Sequence, residues 1–257
     1  MNIIQIPAFK DNYIWILHEL NSKHAVVVDP GESEQVIKYL NDNNLVLSDI
    51  LITHHHYDHM GGVEKLKQAY PLVNIYGPRD PRIPLTTIVK NNENIKLDSL
   101  SESFEVLDVK GHTSSHIAYY FKNKLFCGDT LFSCGCGRLF EGTYDDMHKA
   151  LSKIKSLPSE TMIYCAHEYT LDNIGFAKII DPNNLDLLAR EEEVKKLLRS
   201  GYPSIPSKLE NELAINPFLR FDNPIIKISV QNHFKKEMCS ELEVFQHTRD
   251  WKDNEYD

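Results

Sequence analysis

Through the first two thirds of the chain, short apolar runs bounded by turn residues recur at residues 2–6, 13–17, 25–29, 49–53, 74–76, 104–109, 117–121, 124–127 and 162–165. Runs of this length and spacing predict strands. Helical periodicity fills some of the intervals, at 33–41, 62–70 and 145–157, and Ser33 stands where the first of these helices takes its N-cap. The interleaving predicts an α/β core, a sheet with helices outside it. Beyond His167 the pattern changes: 171–180, 185–199 and 235–251 read as helices, and only 224–230 reads as a strand. The expected organisation is a catalytic domain over 1–168 and a mainly helical domain over 169–257.

Composition narrows the function classes. The 257 residues are 42% hydrophobic and 25% charged, which is that of an ordinary globular protein. A formal net charge of -9 argues against a general nucleic-acid binder, because phosphates need a basic surface. No apolar run is long enough to span a bilayer, and the N-terminus has no secretory pattern. Five cysteines without a regular framework suit reduced thiols, so the expected location is cytoplasmic; the chain is further expected to be a monomer with neither nucleic acid nor membrane as partner.

The chemistry is concentrated in Thr53-His54-His55-His56-Tyr57-Asp58-His59, which begins where the strand at 49–53 stops. Loops at strand ends are where rigid scaffolds present reactive groups. Two imidazoles at i and i+2 can chelate one ion, and Asp58-His59 can turn towards a second. Four such ligands within six residues cost desolvation that folding alone does not recover, so metal binding is the simpler explanation. His55 faces away from its neighbours. Neither site is complete, since zinc and similar ions want at least three protein ligands with room for water. Three later residues at strand ends fit: His112, Asp129 and His167. The assignment is His54, His56 and His112 on one divalent metal, Asp58, His59 and His167 on the other, and Asp129 bridging both.

The run from Thr53 to His59, followed in order by Gly111-His112-Thr113, Gly128-Asp129-Thr130 and His167, resembles the THxHxDH pattern of the metallo-beta-lactamase superfamily. The segments Cys136-Gly137-Arg138 and His167-Glu168-Tyr169-Thr170 are similar to those of its glyoxalase II, or hydroxyacylglutathione hydrolase, family. That resemblance implies an αββα sandwich with a helical C-terminal domain, two metal ions, zinc first with iron or manganese as alternatives, and hydrolysis of S-D-lactoylglutathione to D-lactate and glutathione in methylglyoxal detoxification. It implies glutathione-binding roles for Arg138, Phe140, Tyr169, Arg249 and Lys252, the last two as a basic pair on one helix face. The chain departs from the family pattern at Lys110, Ser115, Cys134 and Phe140. Cys134 places a second thiol near the site, where it could be oxidised.

Water between two cations ionises near neutral pH, its pKa lowered from about 15.7 to roughly 7 in the single-zinc case. A bridging hydroxide oriented by Asp58 would attack the thioester, and the departing thiol, with an ordinary pKa of about 8.5, leaves without a general acid. No Ser or Cys nucleophile is needed. The alternative is a mononuclear-iron persulfide dioxygenase acting on glutathione persulfide; a metal-stabilised binding module is a third reading.

Overall fold

The apolar runs near the N-terminus become strands buried on both faces in the computed structural model, which describes residues 1–256. The first unit comprises Met1–Asp108 and Ser115–Gly128. Its elements in chain order are β1 (Asn2–Ala8), β2 (Asn12–His18), β3 (His24–Val28), α1 (Glu34–Asp42), β4 (Val46–Leu51), α2 (Tyr57–Met60), α3 (Val63–Ala69), β5 (Asn74–Gly77), β6 (Thr87–Ile88), β7 (Asn94–Lys96), β8 (Ser103–Asp108), β9 (Ile117–Phe121) and β10 (Lys124–Gly128).

Strands β1 to β6 form one sheet in sequence order, antiparallel from β1 to β3 and parallel from β3 to β6. Ile14, Ile16, Ala25, Val27, Ile50 and Ile52 share one cluster with Val36, Leu40, Val63 and Leu66 of α1 and α3. Their neighbours Trp15, Leu17, Val26, Val28 and Leu51 are also buried, so the opposite face is covered too. The antiparallel strands β7 to β10 do the covering: Tyr119 donates its hydroxyl to Ile52 O at 2.9 Å, and the Trp15 and Phe126 rings meet edge-on at 6.4 Å. Burial on both faces explains why these strands are nearly continuous apolar runs.

The second unit takes Val109–Ser114 and the chain from Asp129 onward. It holds β11 (Leu131–Phe132), β12 (Gly135–Cys136), α4 (Tyr144–Lys155), β13 (Met162–Cys165), α5 (Thr170–Ile180), α6 (Leu185–Arg199), β14 (Ser207–Lys208), α7 (Leu209–Ile215), α8 (Pro224–Phe234), α9 (Glu241–Trp251) and a π turn, Lys252–Tyr256. Helix α4 starts at a capping box between Thr143 and Asp146. Phe176, Phe218, Phe245 and Trp251 pack together. Among the described residues no helix is long and apolar enough to cross a membrane.

One sequence expectation is corrected here. Residues 224–230 form the start of a helix, not a strand. Its Ile and Val residues suggest β structure, yet Asn223 caps the helix through Ile225 N at 2.8 Å and Pro224 sits at its first turn. Ile226 and Val230, four apart, are buried while Ile225 and Ile228 are exposed, a helical periodicity. The helix expected over 235–251 is likewise shorter, because Lys235 adopts left-handed backbone and Ser240 caps a new start.

Candidate metal centre

In the first unit the turn that carries the candidate ligands is fixed from behind by Asp29, which follows β3 with φ 50°. Its Oδ1 accepts Thr53 N–H at 2.8 Å, and its Oδ2 accepts the Thr53 hydroxyl at 2.7 Å and faces His59 Nδ1 at 3.0 Å. Because the Thr53 hydroxyl donates to Asp29, it accepts from His54 Nδ1, 3.0 Å away. Both imidazoles therefore carry their proton on Nδ1 and turn an Nε2 lone pair inward. Both rings are fully buried. Asp29, His54 and His59 offer ligand atoms within 4.8 Å of one another. Since the Asp29 carboxylate already takes three donors, it orients the imidazoles.

His54 Nε2 lies 3.1 Å from His56 Nδ1, and His59 Nε2 lies 3.5 Å from Asp58 Oδ2. The turn α2 opens at His56, whose carbonyl accepts His59 N–H at 3.0 Å and so brings Asp58 and His59 round together. Asn12 Nδ2 donates to Asp58 Oδ2 at 2.9 Å. His116 stacks on His54 with centroids 4.4 Å apart, and its Nδ1 faces Ile117 O at 3.1 Å. Gly128 permits this packing: a Cβ there would meet Thr53 Oγ1 at 2.4 Å. His55 points elsewhere, with Nδ1 3.6 Å from Asp80, whose carboxyl the Arg82 guanidinium holds well below the usual carboxylate range.

In the second unit, His112 Nδ1 donates to Arg138 O at 2.8 Å, which again leaves Nε2 as the lone pair. That Nε2 is 3.5 Å from Asp129 Oδ2, and His167 Nε2 is 3.4 Å from the same oxygen. All three side chains are buried. Ligands held about 2.1 Å from a tetrahedral zinc are separated by roughly 3.4 Å along each edge. The separations within each unit, from 3.1 to 3.5 Å, match that edge, so the residues present fit a divalent cation.

The residues expected to hold glutathione all lie in the second unit. Tyr169 stacks on His167 at 4.7 Å and 11°, and Phe140 meets the His112 ring edge-on at 5.2 Å with its own ring exposed. Arg138 reaches Asp253 Oδ1 at 3.6 Å.

Arg249 and Lys252 are not the exposed pair that the i,i+3 spacing suggests. Arg249 is 1% exposed: Nη1 donates to Cys136 O at 3.0 Å, Nη2 to Asp253 Oδ1 at 2.8 Å, and the guanidinium lies over Phe218. Lys252 is 5% exposed and donates to Asn173 Oδ1 at 2.6 Å. The backbone widens to a π turn at Lys252, so the regular helical face ends between them. Cys134 is corrected as well. It is buried with Ile174, Ala177 and Leu187, and burial pushes its thiol well above the usual range, which withholds the thiolate that oxidation needs.

With this geometry in place, similarity to known proteins is decisive. A hydroxyacylglutathione hydrolase from Nitrosomonas eutropha is 46% identical over 99% of this chain and 99% of its own length. One from Photobacterium profundum is 48% identical over 99% of each. The chain belongs to the hydroxyacylglutathione hydrolase family. The model of that family's C-terminus matches residues 168–255, and the metallo-beta-lactamase superfamily model matches 10–167.

Among solved structures, a metallo-beta-lactamase from Staphylococcus aureus has a TM-score of 0.65 at 19% identity, covering 97% of this chain and 70% of that one. ETHE1 from Myxococcus xanthus has a TM-score of 0.60 at 26% identity, covering 66% of this chain and 76% of its own. The hydroxyacylglutathione hydrolase family thus carries here the metallo-beta-lactamase fold with a C-terminal helical domain. Three supporting residues of the centre, Asp29, Asn12 and His116, escape sequence reasoning. Each is a lone polar residue far along the chain from what it holds, and no local spacing marks it.

Proposed function

We propose that this protein hydrolyses S-(2-hydroxyacyl)glutathiones, S-D-lactoylglutathione foremost, to the 2-hydroxy acid and glutathione. The observation that carries this reading is the family match at residues 168–255. The superfamily model covers the candidate ligands up to His167, whereas the model matched beyond it is that of the hydroxyacylglutathione hydrolase C-terminus, which favours the hydrolase over the persulfide dioxygenase alternative.

In this reading His54, His56 and His112 would hold one cation, Asp58, His59 and His167 would hold the other, and Asp129 would serve both. Zinc suits the imidazole and carboxylate donors, as iron or manganese also would. Cations held there would supply a water acidified to near neutral pH and Lewis-acid polarisation of the thioester carbonyl. The chain's own residues do the rest. Asp29 and Thr53 keep the Nδ1 protons of His59 and His54 in place, so neither ring presents N–H to a cation. Asp58, steadied by Asn12, directs the nucleophile at the carbonyl carbon.

Arg138, Phe140, Tyr169 and Lys252 grip the glutathione moiety, and Arg249 acts through Asp253, the carboxylate it shares with Arg138. The glutathione thiolate departs with an ordinary thiol pKa of about 8.5, so no general acid is required.

The test is to incubate the purified protein with S-D-lactoylglutathione, follow the loss of thioester absorbance, and measure metal on the same sample. Turnover with about two metals per chain is expected. No thioester loss at a full metal complement would overturn the proposal, as would oxygen consumption with glutathione persulfide at one iron per chain.

A further inference from the structure

We propose that Phe9 and Tyr57 form an aromatic corner that receives the acyl substituent of the thioester and sets acyl-group preference; this rests on the thioesterase reading above. Phe9 occupies the tip of the β1–β2 hairpin with φ 48°, a left-handed conformation that a bulky residue adopts only when its surroundings impose it. Glu32 imposes it: its Oε2 accepts Phe9 N–H at 2.7 Å and is itself held by Gln35 Nε2 at 3.0 Å.

Both rings rest on bare backbone. A Cβ at Gly31 would stand 2.7 Å from Phe9 Cε2 and 2.0 Å from Asp58 O. One at Gly61 would stand 2.8 Å from Tyr57 Cζ and 2.8 Å from Gly31 O. Two touching glycines therefore make a floor beside Asp58, with a ring at either side, their centroids 6.4 Å apart and tilted by 53°. Phe9 nevertheless stays 47% exposed and Tyr57 72% exposed. A packing role would bury such rings; a strained, anchored and wet aromatic pair is what a binding surface requires.

Its position sets what it binds. Tyr57 lies between His56 and Asp58 in sequence, and the hairpin that carries Phe9 also delivers Asn12 to Asp58 Oδ2 at 2.9 Å. The corner adjoins Asp58, which in the proposed reading directs the nucleophile at the carbonyl carbon, so the group it meets is the acyl substituent on that carbon. Flat apolar faces with one phenol favour uncharged alkyl or aryl 2-hydroxyacyl groups.

The experiment measures kcat/KM for S-D-lactoylglutathione and S-D-mandeloylglutathione, in which phenyl replaces methyl, on wild type, Tyr57→Ala and Phe9→Leu, with metal content determined for each. An exposed position makes Tyr57→Ala safe for folding. The mandeloyl-to-lactoyl ratio is expected to fall about tenfold in Tyr57→Ala, the discrimination one aromatic contact provides, and at least threefold in Phe9→Leu. Wild type turning over both substrates while the ratio stays within threefold in both variants would overturn the corner alone. Wild type hydrolysing neither at full metal would overturn the thioesterase reading and the corner with it.

Discussion

Asp29 Oδ2 and His59 Nδ1 lie 3.0 Å apart although thirty positions separate them in sequence, and that contact determines which nitrogen of His59 faces inward. Supporting carboxylates of this kind typically account for about ten- to a hundredfold in metal affinity. Asp29→Asn removes the charge while tolerating the left-handed backbone at φ 50°. Zinc retention against a chelator is expected to weaken by that factor. Unaltered retention would reduce Asp29 to a backbone anchor for Thr53.

Asn12→Ala removes the donor 2.9 Å from Asp58 Oδ2. Hydrogen bonds to charged groups contribute about 1.5 to 3 kcal/mol, so kcat on S-D-lactoylglutathione should fall at least about tenfold. Metal content should remain at the wild-type level. Loss of metal alongside activity would make Asn12 part of the scaffold and contradict an orienting role.

Arg249→Met strips the half-buried Asp253 carboxylate and the buried Cys136 carbonyl of a donor. Losing a hydrogen bond to a charged group costs about 1.5 to 3 kcal/mol, which lowers Tm by about 5 to 10 °C in a chain of this size. Calorimetry of the metal-loaded protein measures it. A variant with unchanged Tm and raised KM would restore Arg249 to direct substrate contact. Lys252→Ala, which removes a cation held by Asn173 and Asp172, is expected chiefly to raise KM.

Glu212 is fully buried, and desolvation raises its carboxyl pKa although Cys134 N–H donates to it at 2.7 Å. A folded-state pKa above the unfolded value of about 4.3 means that the unfolded chain releases this proton first. The associated stability is present below the unfolded pKa and is lost as pH rises through the folded one. Glu212→Gln should remove that loss, so the variant gains on wild type as denaturation is measured at increasing pH from 4.5. Parallel stability curves for the two proteins would refute the assignment.

The parts of the site legible in sequence are those written locally. His54, His56, Asp58 and His59 fall within one turn after a buried strand, and their spacing alone marks a candidate chelating loop. The strands of the first unit are legible for a similar reason, since burial on both faces leaves few polar residues to interrupt the run. Where local patterns conflict, tertiary packing arbitrates. The β-branched run at 225–230 favours a strand, yet the Asn223 cap and the buried Ile226 and Val230 make it helix α8.

The sequence by itself determined the fold class, the candidate ligands, and the order in which they occur, because periodicity and short spacing are properties of neighbouring residues. Only the tertiary structure decided which groups hold those ligands and which charges are exposed. Asp29 beneath His59, Asn12 on Asp58, and Arg249 sealed against Cys136 are contacts between residues 30, 46 and 113 positions apart. At such separations no local preference acts, and proximity arises only when sheets and helices pack to bury their apolar faces.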